Sequence, residues 1–205
     1  MKEIKLLSIS LALFLIPALC LAQAPKEVGG FALGRNISEY RERVKMKTAL
    51  PIRFMEFLRE VEVKRMEGFK SGLISYGKCA VPGRILRVKL KYADSSKKFY
   101  DVLLTRFKRR FGKPNEWRGD PFHIFIAWKW SFTDSRNNKI SMILQHNTED
   151  AEEKLGNAIK MTLTNFIDQE RLCSEKKHAE FRERYTKQKK EDKTGPIDWE
   201  TLIPR

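Results

Sequence analysis

Apolar residues recur along this chain with two different periods, and each period predicts a different element. The segment 83–92 alternates apolar and basic residues, which is the period-two pattern of a half-buried strand. Between Asp94 and Gly112 the apolar residues recur at helical spacing instead, and Gly112 followed by Pro114 is a typical helix end. The chain therefore predicts an amphipathic helix directly after a strand.

Similar patterns predict the remaining elements. A first helix is expected from Gly34 to about Met46, because Asn36 and Glu39 have the spacing of a capping box. A polar last helix is expected from about Phe166 to Lys190. The other predicted strands cover residues 59–66, 71–77, 119–134, 137–147 and 157–165.

This order of elements predicts an α+β fold. Strands that follow one another in hairpin order pair antiparallel, and the helices fall between groups of strands. We expect an antiparallel sheet of about five or six strands packed by one central amphipathic helix, with N- and C-terminal helices.

Trp128 and Trp130 occupy one face of a predicted strand, as either core residues or a platform for a ligand. In an antiparallel hairpin a slip of one residue turns every side chain over. The numbers of two paired residues in such a hairpin add up to a constant. Only an even sum places the apolar residues of both strands on one face, with Trp128 opposite Leu144 and Trp130 opposite Met142. A buried Trp removes about 150–250 Å² from water, which favours packing of this face under the helix.

The two ends of the chain differ from its centre. Residues 1–22 have the charged start, apolar run and small-residue end of a cleaved secretory signal peptide. Residues 23–190 form a single predicted α+β domain, and residues 191–205 form a predicted flexible tail. No second apolar run long enough to cross a membrane follows the signal peptide.

Cysteine usage agrees with export. Cys79 and Cys173 are the only cysteines that remain after signal removal. Two thiols in an oxidising compartment most simply form one disulfide. The alternative is that both cysteines are buried and form no disulfide.

Positive charge is concentrated in one block of the sequence. The whole chain carries +15, and residues 71–130 hold fourteen Lys or Arg against four Asp or Glu, a local charge of +10. Protection of a sheet edge and favourable charge at a helix end account for part of this block. The predicted anion-binding residues are Arg87, Lys89, Lys91, Lys98, Arg106, Arg109 and Arg110.

These features predict an exported, non-enzymatic binding or accessory protein of the cell envelope that engages an anionic or acidic partner through a basic face. Nucleic acid is disfavoured because no aromatic residue interleaves with the cations of the strand. Peripheral contact with a membrane stays open, and the oligomeric state is not indicated.

No assembled catalytic motif, metal site or cofactor site is predicted. With an even sum of paired residue numbers, odd and even positions lie on opposite faces of the hairpin. His123 is odd and His146 is even, so they point to different faces and do not share a metal. Two alternatives remain. One is a small envelope hydrolase with a site near Asp120 and His123. The other is a structural subunit that docks through Trp199, Leu202 and Ile203 of the tail.

Overall fold

The computed structural model describes residues 24–148 and 156–191, and beyond them Leu202 alone. The predicted signal peptide lies outside the described residues. Trp199 and Ile203 of the predicted docking tail do so as well. In the described part of the chain, no helix has both the length and the apolar character that crossing a bilayer requires.

Most of the described chain forms one antiparallel sheet. A two-stranded ribbon of β1 (Glu27–Val28) and β2 (Phe31–Ala32) precedes it. The strands of the large sheet are β3 (Leu50–Ile52), β4 (Met55–Glu62), β5 (Phe69–Gly77), β6 (Ile85–Tyr92), β7 (Glu116–Trp117), β8 (Phe125–Thr133), β9 (Lys139–Asn147) and β10 (Gly156–Leu163). The helices are α1 (Lys97–Phe111) and α2 (Thr164–Glu191).

The sheet is built from two meanders that meet in its middle. Its spatial order is β3-β4-β5-β6-β10-β9-β8-β7. After the first meander ends at β6, α1 carries the chain to the far edge, and the second meander returns until β10 pairs with β6. Strand β6 is therefore an interior strand with a neighbour on each side.

The α+β class is confirmed, and the expected strand number of five or six is too low. The large sheet has eight strands, and the two that the sequence patterns miss are its edges. Strand β3 has three residues and β7 has two. Such segments are too short to show an alternating pattern, so only their pairing partners define them as strands.

The predicted N-terminal helix is wrong, although its capping box is present. Asn36 Oδ1 accepts the N–H of Ser38 at 3.0 Å, and the N–H of Asn36 donates to Glu39 at 3.1 Å. The element after the cap is one short 3-10 turn, Ile37–Tyr40. The chain then pairs with the sheet margin through a Val44–Val63 bridge, and this tertiary pairing replaces the helix.

The tryptophan hairpin lies in the core with the expected register. Trp128 pairs with Leu144 and Trp130 pairs with Met142. Trp130 is 1% exposed, its ring lies 5.9 Å from that of Phe107 on α1, and its Nε1 donates to the carbonyl of Gly112. The apolar face of the sheet therefore packs under α1, as predicted. Helix α1 is capped by Ser96, one or two residues later than expected.

Helix α2 is held against the sheet by its first turns. Phe166 and Ile167 pack on Leu58 and Leu86. The predicted Cys79–Cys173 disulfide is present. One turn before Cys173, the buried carboxylate of Glu170 accepts four backbone N–H groups from residues 78–81, at 2.6 to 3.1 Å. Residues 175–188 of α2 are exposed.

The turn between β8 and β9 is organised by one carboxylate. Asp134 accepts the side-chain amide and backbone N–H of Asn138 and the backbone N–H of Arg136, and its carboxylate lies 3.5 Å from Lys26 Nζ. The side-chain and backbone hydrogen bonds from Asn138 are the main cause that lowers the pKa of Asp134 to about 2.

This lowered pKa predicts a pH-dependent contribution to stability. The contribution of a carboxylate with a depressed pKa is complete above its ordinary pKa of about 3.9 and is lost as the pH falls towards the folded-state value. We expect an Asp134→Asn variant to be less stable than wild type in urea above about pH 5. The difference should shrink as the pH falls from 4 towards 2. A difference that stays constant across this range would contradict this role.

Candidate anion-binding site

The seven predicted cations lie on opposite sides of the sheet. Val88 and Leu90 of β6 belong to the core that packs against α1. Because successive strand residues point to opposite faces, Arg87, Lys89 and Lys91 point away from α1. Lys98, Arg106, Arg109 and Arg110 are exposed on α1 itself. The basic block of the sequence therefore corresponds to two separate surfaces.

The first surface, which we call the sheet-face cluster, is the polar face of the central strands. It contains Arg87, Lys89 and Lys91 together with Lys160, which β10 places opposite Lys89. Protection of a sheet edge does not explain these cations, because β6 is interior. Their side chains are half-buried.

Arg87 shows that acidic groups lie close to the sheet-face cluster. Burial lowers the pKa of the Arg87 guanidinium, while the charge of Glu60 raises it. The Nε of Arg87 is buried without a hydrogen-bond partner. On the same face of the sheet, two strands beyond β10, Lys129 of β8 pairs with Glu116 at 3.1 Å. Burial and neighbouring carboxylates thus limit how strongly this cluster attracts a distant anion.

The second surface, the α1 cationic face, consists of Lys98, Arg106, Arg109 and Arg110. These four side chains are exposed and take part in none of the ion pairs of the described residues. The one acidic residue of α1, Asp101, is held by Lys97 at 2.5 Å. The positive charge of this face is therefore not neutralised locally.

The helix dipole accounts for only part of the α1 cationic face. Cations in the last turn are favourable by about 0.3–1 kcal/mol each, which covers Arg109 and Arg110. Lys98 lies in the first turn, where the helix dipole disfavours positive charge. Arg106 lies too far from the end to benefit. Helix stability alone therefore does not explain why these cations are present.

An apolar groove runs beside the α1 cationic face. It lies between residues 24–28, helix α1 and strands β9 and β10, and its volume is about 710 Å³. Three of the four residues of the α1 cationic face also line this groove, namely Arg106, Arg109 and Arg110. Its apolar lining is formed by Val28, Leu103, Phe107, Phe111, Met142, Ile159 and Met161.

The sequence does not reveal this groove. Leu103 and Phe107 have the spacing of ordinary core residues of a helix, and Met142, Ile159 and Met161 alternate like ordinary strand residues. The groove forms because the segment at 24–28 lies beside α1, and Lys26 is joined to Asp134, more than a hundred residues away, by an ion pair. No local pattern indicates such a contact.

Asp120 and His123 are not joined by a side-chain hydrogen bond among the described residues. Both oxygens of the Asp120 carboxylate accept backbone N–H groups, from Phe122 and Phe125. Desolvation would raise the pKa of Asp120, but these hydrogen bonds outweigh it and the pKa is lowered. His123 is exposed in a left-handed conformation with its ring 5.5 Å from that of Trp117. The geometry assigns Asp120 to the turn.

His146 lies in the core, and Leu202 lies at the surface. His146 is 2% exposed on the apolar face, where its Nδ1 lies 2.7 Å from Asn157 Oδ1. Among the described residues, no group of three or more His, Cys, Asp or Glu side chains is arranged to hold a metal ion. In the tail, Leu202 is 65% exposed.

A scan against protein-family models found no match, and neither did searches of the curated proteins and of the solved structures.

Proposed function

We propose that this chain is an exported, non-enzymatic binding protein of the cell envelope that engages an anionic envelope component through the α1 cationic face. The observation that carries the proposal is the set of four exposed cations on α1 that no described acidic residue neutralises. One of them, Lys98, is placed where it disfavours the helix.

The α1 cationic face is better suited to this role than the sheet-face cluster. Exposed, unneutralised charges produce a field that steers an anionic partner from a distance, and that field is screened by salt. The cations of the sheet face are half-buried and have carboxylates nearby. We therefore assign the first contact with the partner to α1.

The test reverses the charge of the α1 cationic face. The variant carries Lys98→Glu, Arg106→Glu, Arg109→Glu and Arg110→Glu, and the measurement is binding to the source's own envelope fraction at low salt. A basic residue near an anionic surface contributes about 1 kcal/mol. Four such contributions amount to about 4 kcal/mol, and charge reversal adds repulsion, so we expect binding to weaken by at least about 1,000-fold.

A matched control separates the surface from the net charge. Lys176→Glu, Lys177→Glu, Arg182→Glu and Lys187→Glu reverse four exposed cations on the outer half of α2. This variant has the same net charge as the test variant and should keep most of the binding. Equal losses in both variants would show that net charge rather than the α1 cationic face determines binding. Mass spectrometry of the captured material then shows whether the partner is a lipid, a polymer or an acidic protein.

A further inference from the structure

We infer that the groove beside α1 holds the acyl chain of a single-chain anionic amphiphile, whose acidic head group binds Arg106, Arg109 and Arg110. The inference rests on the proposed function, because it uses the same cations, and it names the chemical class of the ligand. It depends on two independent features of the groove: an apolar floor and a cationic rim.

The floor of the groove is suited to a hydrocarbon chain. Val28, Leu103, Phe107 and Phe111 are half-buried and present its apolar surface, while Met142, Ile159 and Met161 lie beneath them and are at most 2% exposed. The groove is open to solvent along one side and measures about 710 Å³. Pockets for small ligands measure about 300–1,000 Å³. Methionine side chains also adapt readily to the shape of an apolar ligand.

The rim of the groove selects an acidic head group. Arg106, Arg109 and Arg110 line the groove and are exposed. A guanidinium group binds a carboxylate or phosphate through two parallel hydrogen bonds, which a lysine does not provide. Lys26, also in the lining, lies 3.5 Å from Asp134. Glu27 adds one exposed carboxylate to the rim, so the rim keeps a net positive charge and the three arginines are the cations available for the ligand.

The combination of floor and rim points to one occupant. An apolar peptide segment would match the floor and leave three arginines without anionic partners. A short anion would match the arginines and leave the half-buried apolar walls formed by Leu103, Phe107 and Phe111 in contact with water. A single acyl chain with an acidic end satisfies both, because burial of each methylene favours binding and the acid pairs with the arginines.

The test is the binding of cis-parinaric acid, a fluorescent long-chain acid, to the protein purified after export. We expect saturable binding of one probe per chain. Hexadecanoic acid should displace it at least about 100-fold better than hexanoic acid, because the shorter acid loses ten methylenes. A single-chain zwitterionic phosphocholine with the same acyl length should compete at least tenfold less well than hexadecanoic acid.

Two tryptophan variants test the location. Leu103→Trp fills the groove from α1 and should weaken probe binding at least tenfold. Val102→Trp adds the same bulk at the adjacent residue, which is 48% exposed and does not line the groove, and should change binding less than twofold. If Leu103→Trp fails to fold by circular dichroism, Ala24→Trp fills the groove from the opposite wall. Arg106→Gln with Arg109→Gln and Arg110→Gln should weaken the acid and leave the phosphocholine unchanged.

Several outcomes would overturn the inference. Equal competition by hexanoic and hexadecanoic acid would show that the arginines bind anions without the groove, and the proposed function would then survive alone. No probe binding, or binding that neither groove variant changes, would remove the acyl chain from the groove. Binding of the envelope fraction by the charge-reversed α1 variant and by its α2 control is measured separately. Failure of the proposed function is therefore distinguishable from failure of this inference.

Discussion

Replacing Glu170 with glutamine is expected to lower the free energy of unfolding by about 3 kcal/mol. The carboxylate is 2% exposed and accepts the N–H groups of Lys78, Cys79, Ala80 and Val81. A hydrogen bond to a charged group contributes about 1.5–3 kcal/mol, and a buried donor left without its acceptor costs about 1–3 kcal/mol. Glutamine retains the shape, but its amide NH₂ would point donor against donor at one of the two oxygen positions.

The measurement is urea unfolding with the disulfide intact. Glu175→Gln is the matched control, because Glu175 lies on the same helix, is exposed, and makes a surface ion pair with Arg171 at 2.9 Å. Exposed pairs of this kind contribute about 0–1 kcal/mol. Equal effects of the two substitutions would contradict the role assigned to Glu170 in holding the loop at 78–81.

Removal of the disulfide is expected to have the largest effect on stability. Cys79 and Cys173 are 94 residues apart, and a loop of about 100 residues corresponds to about 4.7 kcal/mol in the chain-entropy model. The double variant Cys79→Ser with Cys173→Ser should lose about 4–5 kcal/mol in the same unfolding experiment. Reduction of the wild-type protein with a thiol should reproduce the loss. A loss under 1 kcal/mol would show that the cross-link does not restrict the unfolded chain.

The disulfide and Glu170 should not act independently. The backbone N–H of Cys79 donates to Glu170 at 2.6 Å, and Cys173 lies one turn further along α2. Residues that share a structural unit show coupling energies of about 0.5–3 kcal/mol. The triple variant should therefore lose less stability than the sum of the two effects.

The sequence predicts the centre of this fold better than its margins. The tryptophan hairpin follows from the parity of two long alternating segments, and the pairs Trp128–Leu144 and Trp130–Met142 are confirmed. The edge strands β3 and β7 are too short to carry a pattern. The capping box at Asn36 is real, but the pairing of Val44 with Val63 limits the helical segment after it to one short turn. Local signals therefore predict elements well only where no distant partner competes.

The candidate site is predictable in its residue types and not in its arrangement. The cations of β6 and those of α1 are close in sequence and look like one cluster. Strand alternation and the packing of α1 place them on opposite sides of the sheet. Glu170 is one of many glutamates in the charged C-terminal region of the chain, and only its contacts with residues 78–81 distinguish it. The groove requires the segment at 24–28 to meet α1.

A chemical footprint of the cations on the native envelope fraction tests whether the α1 cationic face contacts the partner. Lysines are acetylated and arginines are modified with phenylglyoxal, with and without the envelope, and each site is quantified by mass spectrometry. We expect strong protection of Lys98, Arg106, Arg109 and Arg110, and labelling of Lys176, Lys177 and Arg182 that does not change. Equal labelling of the α1 cationic face in the two conditions, with the protein bound, would contradict this expectation.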